Sequence, residues 1–121
     1  MVSIPRQGEI WWAEVEDIRR PVLVVTRSEV VDVLTGVIVA PVTRTVRGIP
    51  TEIRLGSDEG LTVECVASFD NLQRVRRAVL TEKAGDLGLR RDEVCVALRA
   101  LADCYPKAKG RLELVEVGPV A

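Results

Sequence analysis

Histidine is absent from the whole sequence. This absence excludes hydrolases whose proton transfer depends on a histidine base, including Ser-His-Asp triads and ribonucleases that use a pair of histidines. It also excludes zinc sites that combine cysteine with histidine. If the protein is an enzyme, other groups must stabilise charge and move protons.

Cysteine is scarce, and its positions do not indicate a reactive or metal-binding site. Cys65, Cys95 and Cys104 are odd in number and lack the short spacings that metal ligands adopt. We therefore expect buried, reduced thiols, which pack as small apolar side chains.

Long apolar runs and spaced clusters of carboxylates are missing as well. No stretch approaches the roughly 20 apolar residues of a membrane span, and the N-terminus "MVSIPRQGEI" lacks the apolar region of a secretory signal. The neighbouring carboxylates Glu16 with Asp17, and Asp58 with Glu59, make poor chelates because adjacent residues on a strand point to opposite faces. The sequence therefore predicts a cytoplasmic protein without a membrane partner, a metal site or a cofactor.

What is present fits a single globular domain over residues 1–121. The chain is 47% apolar and 29% charged, which is typical of a folded chain with one core. The net charge is −1, yet 14 of the 17 basic residues are arginine, grouped at 19–20, 44–47 and 74–77. The planar guanidinium suits phosphate, although grouped arginines are also common on ordinary solvated faces.

The first two thirds of the chain have the pattern of short strands. Alternation in "GEIWWAEV" puts Ile10 and Trp12 on one side, so one of the two neighbouring tryptophans enters the core. The other is left for the surface, where it can stack on bases or meet a partner. Strands are predicted at 8–15, 21–27, 34–43 and 50–55, with one or two more in 61–75. Strands at this spacing predict a small, strongly curved sheet or barrel.

The last third changes to helical periodicity. Residues 90–105 place Val94, Leu98, Leu101, Ala102 and Tyr105 on one stripe, which predicts a helix that Pro106 ends. The tail, residues 106–121, has a short alternating stretch that predicts either an added edge strand or a flexible end. The fold class is therefore mainly β with a C-terminal helix.

Three blocks in order, "QGEIWWAEV", "RRPVLVVTR" and "VIVAPVT", resemble the MazF/PemK family of toxin endoribonucleases. That family opens with a strand of the pattern R-G-[DE]-[IV]-[YW] and continues with R-P-V and then A-x-[IV]-T. The resemblance covers roughly residues 6–104. It implies an SH3-like plectonemic barrel, a homodimer, cleavage of single-stranded RNA, and inhibition by an acidic, partly disordered segment of a cognate antitoxin.

The resemblance assigns a catalytic pair. The family's arginine stands directly before the proline, which is Arg20 here, and its threonine closes the third block, which is Thr43. Pro21 has a fixed φ and biases the preceding residue toward an extended conformation, so Arg20 is expected on a rigid mount. Arg20 would stabilise the phosphorane formed by 2′-OH attack, and Thr43 would donate a hydrogen bond to a phosphoryl oxygen.

Five further residues are predicted to contact RNA. Arg44 and Arg47 lie in the loop "TRTVRGIP", where cations can meet the RNA backbone. Asn71 has an amide that can read a base edge, and it also suits a turn. The predicted set is Arg19, Arg44, Arg47, Thr51 and Asn71.

Two departures from the family pattern affect how RNA would be read. The segment between the first two strands, "EVEDIRRP", is shorter than the family's usual loop. Cys65 stands where the family often has serine. Two other functions remain open on the same barrel: a CcdB-like toxin that binds DNA gyrase without cutting, and a non-catalytic RNA-binding barrel.

Overall fold

The computed structural model describes residues 4–102, and strands are the main regular structure of this part. Seven strands are present: β1 (Glu9–Val15), β2 (Ile18–Val24), β3 (Gly36–Thr43), β4 (Glu52–Leu55), β5 (Cys65–Ser68), β6 (Gln73–Arg76) and β7 (Leu80–Asp86). Two α-helices accompany them: α1 (Ser28–Val31), of a single turn, and α2 (Glu93–Ala100).

The strands form one antiparallel sheet that curves into a half-barrel. Its order is β4-β5-β3-β2-β1-β7, and β6 pairs with β3 beside this path. Strand β3 is shared between three partners: its first half pairs with β6, its middle with β2, and its end with β5. A strand that changes partners along its length is a natural place for the sheet to open.

Both faces of the central strands are buried, and this explains the uninterrupted apolar run in β2. Val22 and Val24 belong to one core with Trp11, Val31 of α1 and Leu80. Their neighbours Leu23 and Val25 belong to a second core, which Val94 and Ala97 of α2 close. Strands buried on both faces need continuous hydrophobicity rather than alternation.

The predicted strands are confirmed, with two corrections. Strand β7 was not predicted, because among its seven residues only Leu80 is buried and no apolar alternation marks it. The prediction of one buried side in β1 is incomplete, since Trp11, on the side opposite Ile10, is only 4% exposed. Trp11 enters one core while Ile10 enters the other.

The predicted helix is confirmed in a shorter form. It runs over Glu93–Ala100, and its buried residues are Val94 and Ala97, with Leu98 partly buried against the same core. Leu101, predicted on the buried stripe, is 40% exposed and follows the helix end. The predictions for Cys104, Tyr105 and residues 106–121 fall outside the described residues.

The connection from β1 to β2 is a two-residue hairpin turn. Val15 pairs with Ile18, and Glu16 and Asp17 between them have φ of 49° and 58°. This left-handed conformation suits the twist of a hairpin, but it favours Asn-Gly because other residues crowd their own backbone there. The turn therefore carries local strain and forms the short first loop that the sequence indicated.

We expect the double substitution Glu16→Asn with Asp17→Gly to raise the free energy of unfolding by about 0.5–1 kcal/mol, because it relieves this strain. Asp32→Gly serves as a matched control, since Asp32 has φ −75° and gains nothing from glycine. That control should lower stability by about 0.5–1 kcal/mol through chain entropy. Urea unfolding measures both, and a destabilised Asn-Gly variant would contradict the strain.

Candidate active site

A groove of about 420 Å³ opens at one end of the half-barrel. Trp12 of β1, Arg20 and Pro21 of β2, and residues 42–44 at the end of β3 form one side. Residues 60–63 and Cys65, before and at the start of β5, form the other. The groove therefore lies where β3 ends and β5 begins, beside interior positions of β1 and β2.

The groove opens here because the ladder between β2 and β3 stops. Its last pair is Val22 with Pro41, and beyond it Val42 pairs with Ala67 of β5 instead. Pro21 and Pro41 stand side by side at this end, and a proline cannot donate to a ladder. Because neither proline has a backbone N–H, the two strands can separate at this point without leaving a donor of Pro21 or Pro41 unpaired.

The register of this ladder explains why Arg20 and Thr43 meet. Leu23 pairs with Ala40 and Val22 with Pro41, so continuing two residues further brings Arg20 opposite Thr43. Both residues line the groove. The two predicted catalytic residues, 23 positions apart in the chain by their numbers, are thus brought together.

Thr43 has a hydroxyl whose orientation is constrained. Its Oγ1 accepts a hydrogen bond from the backbone N–H of Thr45 at 3.1 Å. With that lone pair occupied, the hydroxyl hydrogen remains available for an acceptor in the groove. This arrangement suits a donor to an anionic oxygen.

Arg20 and its neighbour Arg19 have different electrostatic surroundings. Within residues 4–102 no ion pair engages Arg20, which is exposed at the groove. Arg19, in contrast, lies 3.1 Å from Glu14 and 2.5 Å from Glu82. Of these two neighbours, Arg20 is therefore the one whose positive charge is left uncompensated at the groove.

Glu14, one of the two carboxylates beside Arg19, has a lowered pKa. Hydrogen bonds from Thr81 and then from Arg19 lower the pKa of the Glu14 carboxyl. Arg19 further lies over the ring of Trp12, with 4.3 Å between the guanidinium carbon and the ring centroid. Arg19 itself does not line the groove.

Of the other residues predicted to contact RNA, only Arg44 lines the groove. Arg47 is exposed, and its backbone N–H donates to the carboxylate of Glu52 at 3.0 Å. Their contacts with RNA stay predictions.

Thr51 and Asn71 both have hydrogen bonds that support the local fold. Thr51 is 7% exposed and donates to the carboxylate of Asp70 at 2.6 Å. The side-chain amide of Asn71 donates to the hydroxyl of Ser68 at 2.9 Å. Neither lines the groove, so the structure gives each a structural contact while its RNA contact stays a prediction.

The wall formed by residues 60–63 was missed by sequence reasoning, although glycine gave a signal. Gly60 has φ +89°, and a Cβ there would lie 2.1 Å from the backbone oxygen of Ala84 in β7. Only glycine permits this close approach. Cys65 at the same wall is buried, and burial raises the pKa of its thiol, which disfavours the thiolate form.

An ion-pair clamp holds this wall against helix α2. Glu59, 7% exposed, accepts from the backbone N–H of Gly56 at 2.7 Å and from the guanidinium of Arg90 at 2.8 Å. Arg90 also donates to Glu93 and to the backbone oxygen of Arg54 at 2.8 Å. Because Glu59 directly precedes Gly60, the clamp positions the loop that forms the groove.

Residues 4–102 contain no group of three or more cysteines, aspartates and glutamates arranged to hold a metal ion. In the same part of the chain, no helix is long and apolar enough to cross a membrane.

The curved sheet and its helix are shared with a toxin of known structure. Residues 6–104 match the family of PemK-like, MazF-like toxins of type II toxin–antitoxin systems. The chain belongs to this family, which confirms the predicted fold class and the resemblance of the three sequence blocks.

Individual relatives are similar over most of their length. Probable endoribonuclease MazF5 of Mycobacterium tuberculosis is 37% identical over 108 residues, covering 86% of this chain and 98% of that protein. Probable endoribonuclease MazF2 of the same species is 38% identical over 101 residues, covering 82% of this chain and 99% of that protein. The solved Mycobacterium tuberculosis toxin MazF-mt6 is 36% identical with a TM-score of 0.67, covering 77% of this chain and 91% of that one.

We expect Arg90→Ala to lower the free energy of unfolding by about 2–3 kcal/mol, because it leaves the buried Glu59 carboxylate without its cation. Glu93→Gln is the control on the exposed side of the clamp, with a loss of about 0.5 kcal/mol. The hydrogen bond from Arg90 lowers the pKa of Glu93. The contribution of Glu93 is therefore present at neutral pH and lost as the pH falls through that lowered value.

Urea unfolding at pH 7 and in acid measures these differences. The gap between wild type and Glu93→Gln should close in acid. Equal stability of Arg90→Ala and wild type at pH 7 would show that the clamp does not hold the wall.

Proposed function

We propose that this protein is the toxin of a type II toxin–antitoxin pair and cuts single-stranded RNA without a metal ion. The observation that carries the proposal is the meeting of Arg20 and Thr43 at one groove, with Arg20 uncompensated and the hydroxyl of Thr43 available to donate. Relatives at 37–38% identity are named endoribonucleases, which supports the same activity.

The proposed reaction uses the substrate's own 2′-OH as the nucleophile. This hydroxyl is tethered beside the phosphorus, so proximity lowers the barrier without an enzyme nucleophile. Its oxygen loses its proton to solvent and forms a bond to phosphorus, while the bond to the 5′-oxygen of the next nucleotide breaks and that oxygen takes up a proton. The products are a 2′,3′-cyclic phosphate and a 5′-hydroxyl.

Arg20 and Thr43 act on the charge that develops in this step. The guanidinium of Arg20 stabilises the phosphorane and assists the leaving oxygen, while Thr43 donates to a phosphoryl oxygen. Among the described residues, the groove lining has no carboxylate, and burial raises the pKa of its one thiol. The lining therefore favours charge stabilisation over a protein nucleophile.

The remaining predicted contacts extend the path of the RNA. Arg44 lines the groove beside Thr43, and Arg47 lies three residues further along the exposed loop. We propose that both neutralise backbone phosphates, a sequence-independent contribution. Thr51 and Asn71 are proposed as more distant contacts, reached when RNA extends past the β4 side of the groove.

The proposed partners are a second copy of the chain and an acidic antitoxin segment. Solved relatives of the same fold include an endoribonuclease in complex with its cognate antitoxin, with a TM-score of 0.71 at 24% identity. A disordered acidic segment suits the uncompensated Arg20 and Arg44 as RNA phosphate does, so the two ligands compete. We propose the cytoplasm, where RNA is available, as the location, and a symmetric dimer that shares its RNA surface.

Neither alternative is favoured by these observations. A CcdB-like gyrase poison has no need of an uncompensated Arg20 beside Thr43, and a non-catalytic RNA-binding barrel does not require this pair to be intact. Incubation of the purified protein with a long single-stranded RNA separates the three functions.

We expect Arg20→Ala to lower the cleavage rate by about a hundred- to a thousandfold, because one preorganised donor to the transition state is lost. Arg20→Lys should recover only part of this loss, since lysine keeps the charge without the planar fork. Arg99→Ala removes an exposed arginine on α2 and should cut normally. Full activity in folded Arg20→Ala would overturn the assignment.

Replacing the ribose on the 5′ side of the cut by deoxyribose should abolish cleavage and leave binding nearly unchanged, because only the nucleophile is removed. Cleavage of the unmodified strand should survive EDTA. Product analysis and gel-shift binding measure these outcomes. Normal cutting of the deoxy strand would make an external water the nucleophile, and loss of activity in EDTA would require a metal ion.

A further inference from the structure

The two adjacent tryptophans have different environments. Trp11 is 4% exposed in the core and donates its Nε1–H to Glu9 at 2.9 Å. Trp12 is half-buried, lines the groove together with Arg20 and Thr43, and is the one aromatic side chain among the groove's described lining residues. A large ring beside an uncompensated guanidinium suits a nucleotide, which has a phosphate at one end and a π-face at the other.

One face of the Trp12 ring is covered by a guanidinium. Arg19 covers it at 4.3 Å from the ring centroid, and two carboxylates fix the guanidinium of Arg19. One of them, Glu82 of β7, is also the cross-strand partner of Trp12. Because Arg19 does not line the groove, the surface that Trp12 offers to the groove differs from the face that Arg19 covers.

We propose that Trp12 is a base-stacking residue for a nucleotide next to the cleaved phosphate, and that Arg19 is its positioning residue. The inference rests on the proposed RNA cleavage at this groove. Stacking of a base on an aromatic side chain contributes about 1–3 kcal/mol, and it is tolerant of sequence because every base has a π-face. Trp12 therefore supplies affinity and position, while recognition of a particular sequence belongs to other residues.

The same geometry gives Arg19 a role other than phosphate binding. Its charge is compensated by Glu14 and Glu82, and its guanidinium is already stacked. A direct phosphate contact would have to break these interactions, whereas positioning of the ring uses them as they are. The effect of Arg19 on RNA binding should therefore pass through Trp12.

The test uses an uncleavable strand with deoxyribose at the cut and measures its dissociation constant. Trp12→Leu should raise this constant by about 5- to 150-fold, which is the stacking energy converted at 1.4 kcal/mol per tenfold, while Trp12→Phe should change it little. Replacing the stacked nucleotide by an abasic one should weaken binding to wild type and not to Trp12→Leu. If no single abasic position behaves in this way, Trp12 is a packing residue and the inference fails.

Fluorescence provides a readout that does not require the leucine variant to fold. The chain has two tryptophans, so in Trp11→Phe all tryptophan emission comes from Trp12. Saturable quenching by the uncleavable strand supports stacking. Quenching by an acidic antitoxin peptide with none by RNA would assign Trp12 to the antitoxin and overturn the inference.

Arg19→Ala separates positioning from phosphate binding. If Arg19 is a positioning residue, Arg19→Ala weakens RNA binding in the wild-type background, has no further effect in Trp12→Leu, and leaves the dependence of log affinity on log salt unchanged. If Arg19 contacts a phosphate, the effect of Arg19→Ala adds to that of Trp12→Leu and the salt slope falls by about 0.7. Cleavage of the unmodified strand by wild type is measured alongside: its failure removes the proposed function, whereas normal cleavage without stacking removes this inference alone.

Discussion

The end of the ladder between β2 and β3 is the constraint on which the site depends. Up to Val22 and Pro41 the two strands are joined and buried on both faces, so their backbone is rigid. Beyond this pair β3 turns to β5, and neither Pro21 nor Pro41 has an N–H that the separation could leave unpaired. Arg20 and Thr43, the pair proposed to be catalytic, lie two residues past this ladder. A pair in such a place can hold its geometry while remaining open to a substrate, which is what electrostatic stabilisation of a transition state requires.

Two adjacent arginines illustrate how environment, rather than residue type, assigns a role. Arg19 is paired with two carboxylates and stacked on Trp12, so its charge is already compensated. Arg20 has no such partner among the described residues and reaches the groove. The difference between the two arginines is set by the side chains that the folded strands bring beside each guanidinium.

Sequence patterns predicted those parts of the fold whose burial repeats with the period of their secondary structure. The apolar run of β2 and the helical spacing of Val94 and Leu98 are of this kind, and both elements were found. Strand β7 gave no such signal, because it is an edge strand whose seven residues include one buried side chain. The sequence also could not show which of Trp11 and Trp12 enters the core. Alternation distinguishes the two faces of a strand only when one of them is exposed, and here both are covered.

The sequence by itself determined the mainly β architecture, the exclusion of histidine chemistry, and the rigid mount that proline gives to Arg20. The blocks of residues that resemble MazF/PemK toxins also named Thr43 as its partner. Only the tertiary structure decided which arginine keeps an uncompensated charge, which tryptophan faces the groove, and that Arg90 clamps the loop after Glu59. The contacts concerned join residues 31 to 67 positions apart. Glu59 and Arg90 are 31 positions apart, Arg19 and Glu82 are 63 apart, and Glu14 and Thr81 are 67 apart. Such pairs depend on how strands and loops come together in space, and no local periodicity of the chain records them.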